Sequence, residues 1–241
     1  MRRNPIVPIL LLFALMTFVN LMRGQDLGEF LIEKLIILPG IIIGLSFHEF
    51  GHALASTKLG DPTPEKQGRV TLNPIAHIDP VGMLCLIFAG FGWGVPVQID
   101  PTYYKDRRAG EILVGFAGVA MNLLLAVVFS LLTRLYLTVA GNAQDDVNMI
   151  VEQVLFGVIY INVILLVFNL LPIPPLDGFG IVTQIFDLER KPWYRTVYSY
   201  GYFILIFAVL LGLVGMVLTP LTRLLVNFLC TTLVGIPPVI A

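Results

Sequence analysis

The sequence predicts an all-α polytopic membrane protein that forms one integral-membrane domain over residues 1–241. The first indication is composition, since 57% of the residues are hydrophobic and 13% are charged. That charged share is about half the ~25% found in soluble domains, and the mean hydropathy is +0.87. A soluble domain of this length has too little interior to bury so much apolar surface, so the natural solvent is lipid. The second indication is the spacing of the charges along the chain.

Long uncharged stretches separate the charged residues. A membrane-spanning helix needs ~20 apolar residues, and most of these stretches come close to that length or exceed it. They are 4–22, 35–48, 80–99, 112–133, 153–176 and 196–222. The pattern predicts about five to six transmembrane helices, with peripheral helices at 5–22 and 196–222. Residues 224–241 are uncharged too, but Pro237 and Pro238 leave a span there undecided.

The first two predicted helices need separate arguments. Residues 5–22 follow a basic N-terminus, as a signal peptide would. Their apolar run exceeds the ~7–15 residues of a signal core, and no small-residue cleavage site precedes Arg23, so we predict a retained helix. Residues 30–58 are predicted to form one long helix because the apolar pattern continues past its polar residues, with a kink at Pro39-Gly40.

Residues 60–100 differ from the rest of the chain because glycine and proline are dense there, which opposes a long straight helix. Irregular backbone at membrane depth survives only where protein buries it or where it lines a wet cavity. Within this segment, residues 69–73 alternate and are partly β-branched, which predicts a short β element. A second helix breaker, the prolines at 172–175, precedes Asp177.

Two histidines in the helix at 30–58 have the spacing of metal ligands. His48 and His52 are four residues apart, so they lie on one helical face, one turn apart. Two imidazole nitrogens so placed can reach one tetrahedral ion at ~2.0–2.1 Å. Glu49 is rotated off that axis, which leaves it free to act as a base on the attacking water. Polar groups of this kind near mid-membrane cost ~2.5–3.5 kcal/mol, so a catalytic zinc site is their most direct explanation.

The third ligand is expected to be Asp177. A catalytic zinc normally has three protein ligands and one open position. Apart from Glu49, Asp177 is the acidic residue preceded by a full apolar span, and two histidines with one carboxylate suit zinc hydrolysis. An ordinary Asp-Gly turn is the alternative for Asp177. His77, the only other histidine, is expected to be a loop residue or a hydrogen-bond partner.

These motifs together resemble the site-2 protease family of zinc intramembrane metalloproteases, in a compact prokaryotic branch without PDZ or CBS domains. The first motif is His-Glu-x-x-His over 48–52, within a membrane helix. The second motif of the family, N-x-x-P-x-x-x-x-D-G, matches at every fixed position over 169–178. Further likeness lies over 68–82 and 92–97, so the resemblance covers roughly residues 35–190, within a catalytic core expected at about 30–190.

The resemblance implies a role for each residue of the two motifs. His48, His52 and Asp177 would bind one Zn²⁺ per chain, and Glu49 would be the catalytic base. Asn169 would help to hold the substrate or to orient the site.

Three asparagines are the candidate substrate-binding residues: Asn73, Asn122 and Asn169. Their amides can pair with the substrate backbone or with an oxyanion, and hydrogen bonding between helices is the alternative for each. The chain departs from the family at Val119, where a Gly-Pro-x-x-Asn motif usually has proline. That departure bears on Asn122 and leaves the four residues of the metal site untouched.

The predicted reaction is hydrolysis of peptide bonds in or near transmembrane segments of membrane proteins. A helical substrate must first unwind, and a strand of the enzyme can then hold it extended, a role that we expect for residues 69–73. The expected partners are a membrane-protein or peptide substrate with an unwound segment and the lipid bilayer. Nucleic acid is excluded because the net charge is −1 and no basic block occurs. The oligomeric state is left open.

Three other functions are alternatives to hydrolysis. A membrane metal carrier needs the ligands but has no use for an adjacent base such as Glu49. An inactive protease-like scaffold would be expected to have lost one of the four site residues. A transporter with a central ion site would favour two related halves with broken helices, which the sequence does not show.

The metal site also constrains topology. His52 lies near the end of its helix and Asp177 follows the helix at about 150–171, so both helix ends must lie on one side of the membrane. This holds only if residues 81–99 enter and return, which predicts a re-entrant or hairpin segment. With the N-terminus in the cytoplasm, the basic clusters at 105–108 and 190–195 then lie inside, as the positive-inside rule requires. The zinc site is therefore expected on the cytoplasmic side of a prokaryotic cell membrane.

Overall fold

The computed structural model describes residues 26–89, 92–140 and 145–239, with side chains at 88 and 89 excepted. Within these ranges the chain is helical and no residue lies in a strand. In the part of the chain that the structure describes, four helices are long and apolar enough to cross a membrane: Leu27–Lys58, Arg107–Ala140, Asp146–Asn169 and Leu213–Val234. The prediction of an all-α membrane protein is confirmed at this level. The helix predicted at 5–22 lies outside the described residues.

The helices follow one another along the chain with short irregular connections. They are α1 (Leu27–Lys58), α2 (Thr63–Lys66), α3 (Pro80–Ala89), α4 (Arg107–Ala140), α5 (Asp146–Asn169), α6 (Asp177–Phe186), α7 (Tyr194–Ser199), α8 (Gly201–Leu210) and α9 (Leu213–Leu229). A π-helical turn over Cys230–Val234 extends α9. α1 begins after Asp26, whose carboxylate accepts hydrogen bonds from the N–H groups of Gly28 and Glu29. The capping of the first turn explains why the helix starts there.

Three of the long helices, α1, α4 and α5, pack against one another and form the centre of the molecule. Small residues bring α1 and α5 together. A Cβ on Gly40 would lie 3.0 Å from the carbonyl oxygen of Gly157, and a Cβ on Gly44 would lie 2.7 Å from the Leu165 side chain. Lipid gives helices no hydrophobic reason to associate, so close packing of this kind holds them together. Pro39 lies inside α1 without ending it.

The last part of the chain corrects a prediction. One helix was expected over 196–222, but α7, α8 and α9 occupy this region and the chain turns at Gly212, whose φ is +73°. The helix in this region that is long and apolar enough to span is Leu213–Val234, which includes part of the segment at 224–241 that the sequence left undecided. Charge spacing could not reveal this break because Gly212 lies inside an uncharged stretch. Glycine adopts the left-handed conformation at little cost, and this allows the turn.

The chain doubles back after α3. It returns over residues 92–100, which lie outside any helix or strand and are here called the return arm. The N–H of Val95 donates to the carbonyl of His77 at 2.8 Å, so the entry and the exit of the segment lie side by side. A Cβ on Gly92 would lie 2.0 Å from the carbonyl oxygen of Gly82, so the arm packs directly on α3. Between the two parts of the predicted metal site, α4 and α5 are the described helices that are long and apolar enough to cross a membrane.

The β element predicted at residues 69–73 is not found, and the described chain there consists of bends and irregular backbone. A side-chain hydrogen bond occupies a backbone carbonyl that a β-strand would need for pairing with a neighbouring strand. The carbonyl of Thr71 accepts a hydrogen bond from His77 Nε2 at 2.7 Å. Arg69 turns away from this segment and donates to the carbonyls of Ala76 and Val95.

Candidate metal centre

Three side chains from distant parts of the chain meet between α1, α4 and α6. His48 and His52 extend from α1, and their Nε2 atoms are 3.1 Å apart. Asp177, at the first position of α6, brings its Oδ2 to 3.2 Å and 3.3 Å from these two nitrogens. An ion with tetrahedral bonds of ~2.0–2.1 Å spaces its ligand atoms about 3.3–3.4 Å apart. The three atoms therefore form a triangle close to one face of such a tetrahedron.

The hydrogen bond behind His48 decides which of its nitrogens carries the proton. His48 Nδ1 lies 2.8 Å from Asn122 Oδ1. The amide nitrogen of Asn122 already donates to the carbonyl of Gly44 at 3.1 Å and to Asn162 Oδ1 at 3.0 Å. Asn122 Oδ1 is therefore an acceptor, and His48 Nδ1 must be the donor. This leaves a lone pair on His48 Nε2, which faces the other two ligand atoms.

His52 has the same arrangement with a backbone partner. Its Nδ1 lies 2.7 Å from the carbonyl of Val114, which can only accept. Both imidazoles thus direct an Nε2 lone pair inward. Asp177 Oδ2 is buried and makes no hydrogen bond within the described part of the chain. With neutral imidazoles, three electron-rich atoms converge that a bound cation would stabilise, and this donor set suits zinc.

Glycines at the contact between α1 and α4 make room for the two rings. A Cβ on Gly118 would lie 2.4 Å from His52 Nε2 and 2.7 Å from His48 Cε1. On the opposite helix, a Cβ on Gly51 would lie 2.7 Å from the carbonyl oxygen of Ala117. Val119, which stands where the family usually has proline, is buried within an unbroken α4. The missing proline therefore leaves the contact at Gly118 intact.

A tight turn between α5 and α6 directs Asp177 back toward the histidines. α6 begins at Asp177, immediately after the proline-rich segment at 172–175. A Cβ on Gly178 would lie 2.2 Å from the carbonyl oxygen of Leu170, so the start of α6 packs directly on the end of α5. The Asp-Gly pair is thus a ligand followed by the only residue type that fits this close approach.

Glu49 lies beside the metal ligands without joining them. Among the described residues, the cluster of potential ligand atoms consists of His48, His52 and Asp177. Glu49 Oε2 accepts a hydrogen bond from the N–H of Val97 on the return arm at 2.9 Å. Glu49 Oε1 has no hydrogen-bond partner in the described ranges, and a Cβ on Gly94 would lie 3.7 Å from it. One oxygen is therefore anchored and the other is available, as a general base requires.

The centre lies a short distance inside one end of the helical bundle. His52 is six residues before the end of α1, and Val114 is seven residues after the start of α4. At 1.5 Å per residue the site is about 9–10 Å inside both helix ends. Aromatic residues mark the same end, since Tyr194 stacks on Phe179 of α6 at 5.9 Å. Its exposed neighbours are Trp193, Tyr198, Tyr200 and Tyr202, and such residues concentrate at membrane interfaces.

Asp61 ties the end of α1 to the far end of the loop that precedes α4. It accepts hydrogen bonds from the Ser56 hydroxyl at 2.7 Å, the Thr63 N–H at 2.8 Å and the Asp100 N–H at 2.8 Å. The Ser56 hydroxyl also lies 2.7 Å from the Tyr104 hydroxyl. Burial alone would raise the pKa of Asp61, but these hydrogen bonds outweigh it and hold the pKa below its usual value of 3.8. The loop is thus closed by an ionised, fully bonded carboxylate.

The structure gives the three predicted substrate asparagines different positions. Asn122 is fully buried behind His48 and accepts a hydrogen bond from its ring, and its contact with substrate stays a prediction. Asn169 donates to the carbonyl of Leu165 in its own helix at 2.9 Å. Asn73 is exposed and caps a short helical turn through the N–H of Ile75. Substrate roles for Asn169 and Asn73 stay predictions.

His77 is buried and lies outside the ligand cluster, and its ring makes a hydrogen bond to the carbonyl of Thr71.

Two residues that the sequence did not indicate support the residues of the candidate site. Asn162 supports Asn122, and its only signal in the sequence is an asparagine within an apolar span. Val97 holds Glu49 through a backbone N–H, which leaves no signature in the sequence.

The fold and the site together describe a helical membrane protein in which two histidines and one aspartate form a cluster that could hold a metal ion, beside a glutamate. A family model described as peptidase family M50 matches residues 133–212. The chain is 35% identical over 192 residues to "Putative zinc metalloprotease YwhC" of Bacillus subtilis, which covers 77% of this chain and 88% of that protein. The chain therefore belongs to peptidase family M50, and the resemblance noted from its motifs is confirmed.

Mycobacterial relatives carry a similar name. "Putative zinc metalloprotease Rip2" of Mycolicibacterium smegmatis is 31% identical over 178 residues, covering 71% of this chain and 65% of that protein. The protein of the same name from Mycobacterium tuberculosis strain Erdman is 30% identical over 151 residues, covering 60% of this chain and 55% of that protein. No solved structure matches the chain.

Proposed function

We propose that this chain is a zinc-dependent endopeptidase that hydrolyses peptide bonds in or near transmembrane segments of membrane proteins. The observation that carries the proposal is the combination of three converging ligand atoms with a glutamate that is not a ligand. A metal carrier or an inactive scaffold has no use for Glu49, which has one oxygen anchored and the other available. The names of the relatives, zinc metalloproteases, support the same reaction class.

The residues around the centre have separate roles in the proposed hydrolysis. Bound by His48, His52 and Asp177, zinc would supply the Lewis acidity that polarises the scissile carbonyl and acidifies the attacking water. Glu49 Oε1 accepts a proton from that water and returns it to the leaving amine. The hydrogen bond from Val97 to Glu49 Oε2 orients the carboxylate before the substrate arrives.

The return arm supports binding of an extended substrate segment. The N–H groups of Val95 and Val97 face the protein, where they are bonded to His77 and Glu49. The backbone groups of Gly94 and Gln98 make no hydrogen bond within the described ranges. The arm therefore offers backbone groups without partners among the described residues, to which an unwound peptide can add. In this proposal the arm takes the role first expected for residues 69–73.

The function is tested by separating metal binding from proteolysis. Glu49→Gln should keep about one zinc per chain, measured by atomic emission, and should lower cleavage by about 10²–10⁴-fold. His48→Ala should lose zinc and cleavage together. Because the substrate is unidentified, cleavage is followed by proteomics of host membranes, where single-span fragments should accumulate with Glu49→Gln. Wild-type processing in the Gln variant would contradict the proposal.

We also propose that the metal centre faces the cytoplasm of a prokaryotic cell membrane. The basic clusters at 105–108 and 190–195 support this orientation, since positive charge concentrates on the cytoplasmic side. Single cysteines at Lys66 and Lys105 test it, after both native cysteines are replaced. Both positions should react with an impermeant reagent only from the cytoplasmic side, and opposite accessibility would contradict the topology.

A further inference from the structure

Arg69 is a buried cation on the inner side of the return arm. Its exposed fraction is 8%. The guanidinium donates to the carbonyl of Ala76 through Nη1 and to the carbonyl of Val95 through Nη2. Burial lowers the pKa of the Arg69 guanidinium below its usual value, and the negative charge of Glu49 partly offsets this effect. Burying a guanidinium costs several kcal/mol unless it is well bonded. The two carbonyl contacts offset part of this cost, and a cation kept at this buried position is expected to have a role there.

His77 binds Val95 of the return arm through the backbone N–H of that valine. Its carbonyl accepts the N–H of Val95 at 2.8 Å. Its ring is completely buried, and Nε2 donates to the carbonyl of Thr71 at 2.7 Å. Val95 is therefore held at its N–H by His77 and at its carbonyl by Arg69. Both backbone groups of Val95 are thus fixed by partners outside the arm.

The position of Val95 determines where Val97 points. Val97 follows Val95 by two residues, and two residues of chain span at most about 7 Å. The N–H of Val97 donates to Glu49 Oε2 on α1 at 2.9 Å, so this bond forms within a short reach of the point where Val95 is held. A rotation or shift of the arm at Val95 would move this N–H away from the carboxylate. Glu49 would then keep its place on α1 but lose the bond that orients its oxygens.

We propose that Arg69 is a positioning residue for the base. By clamping the carbonyls of Ala76 and Val95, it holds the return arm so that the Val97 N–H orients the Glu49 carboxylate. The inference rests on the proposed role of Glu49 as the base. Arg69 makes no hydrogen bond to His48, His52 or Asp177 in the structure, so it acts through the arm and not on the ligands.

The test compares Arg69→Gln with Arg69→Lys and with a matched control, all in the full-length chain. The control is Arg108→Gln, because Arg108 also donates to two backbone carbonyls, those of Gln184 and Ile185, far along the chain from Glu49. Hydrogen exchange is measured over residues 92–100, zinc is measured by atomic emission, and kcat and KM are measured on a membrane substrate identified by the fragment comparison.

Arg69→Gln should raise exchange over residues 92–100 by tenfold or more with zinc retained. It should lower kcat by tenfold or more and change KM by less than threefold. Arg108→Gln should leave all of these values within threefold of wild type. Wild-type exchange over 92–100 in Arg69→Gln would overturn the proposal. A loss carried by KM alone would also overturn it, because the arm would then serve substrate binding and not the base.

Arg69→Lys separates the clamp from the charge. Lysine keeps the positive charge but cannot donate to both carbonyls in the fixed geometry of a guanidinium. We expect increased exchange and reduced kcat in this variant, and full wild-type values would overturn the clamp. It also supplies the test if Arg69→Gln loses zinc through misfolding. The exchange measurement needs no activity, so failure of the proposed function and failure of the clamp give different results.

Discussion

The metal centre and the loop that covers it are held together by different physical means. The ligands come from helices that meet at glycines, such as Gly118 of α4 against the rings of α1. The loop from α1 to α4 is held by buried polar bonds, centred on Asp61 and Arg69. Tight helix contacts have no room for an added carbon atom, whereas buried polar bonds are sensitive to the loss of a single donor or acceptor.

The difference predicts that metal binding and catalysis can be lost separately. Changes at the helix contact should remove the ion, since they displace ligand atoms. Changes in the loop should leave the ion in place and impair the orientation of Glu49. Measuring zinc and cleavage in the same variants therefore tests whether the two regions are as independent as their bonding suggests.

The largest effect is expected for Gly118→Ala. The new Cβ would lie 2.4 Å from His52 Nε2, a distance that forces the ring or the helix to move. Zinc affinity should fall by more than about 100-fold, the upper end of what loss of a supporting hydrogen bond costs. The control is Gly180→Ala on α6, where nothing lies within 4 Å of the added carbon. Full zinc occupancy in Gly118→Ala would show that the helices are not in close contact there.

The next effect is expected for Asn122→Ala, which removes the acceptor behind His48. Without it the ring can rotate or carry its proton on the other nitrogen. Zinc affinity should fall by about 10–100-fold, measured by competition with a chelator. Asn148→Ala is the control, because that asparagine is bonded to Asp145 near the opposite end of the bundle. Equal affinity in the two variants would contradict the role assigned to Asn122.

Asp61→Asn should impair the loop without removing the metal. An amide cannot accept all three hydrogen bonds that the carboxylate accepts, so unfolding should become easier by about 1–3 kcal/mol. We expect zinc to stay bound while cleavage falls, as measured by atomic emission and fragment analysis. Asp106→Asn, at an exposed hydrogen bond to Ala109, is the control. Loss of zinc in Asp61→Asn alone would show that the two regions are coupled.

Lowering the pH should also test how much the Asp61 carboxylate contributes to stability. The pKa of Asp61 in the folded chain lies below its ordinary value of 3.8, because its hydrogen bonds outweigh the effect of burial. Its contribution to stability is therefore complete above that ordinary value and is lost as pH falls through the folded pKa. The difference in thermal stability between wild type and Asp61→Asn should be constant from about pH 5 to 8 and should shrink below about pH 4. A difference that grows in acid would contradict this sign.

The smallest effect is expected for Gln67→Ala. Gln67 donates to the Gln98 side chain at 2.9 Å, and this contact is exposed. Water replaces an exposed hydrogen bond at little cost, so stability should change by less than about 0.5 kcal/mol with unchanged zinc and cleavage. A large loss would show that surface contacts, and not the buried bonds, hold the return arm.

The sequence by itself determined the part of the site that depends on local geometry. Histidines four residues apart on an apolar helix share a face wherever that helix lies, and Glu49 must point beside them. The prolines before Asp177 end a span, which places an acidic residue at a helix boundary. The return of residues 81–99 followed from the need to bring both parts of the site to one end of the bundle.

Only the tertiary structure decided which distant groups support that site. Asn122 orients His48 from 74 residues away, and Val97 holds Glu49 from 48 residues away. Gly212 interrupts the uncharged stretch at 196–222, for which the spacing of charges predicts one helix. Hydrogen bonds between remote residues and turns within apolar sequence depend on how helices pack to within fractions of an ångström. Periodicity and composition carry no information at that precision, whereas ligand spacing along one helix does not require it.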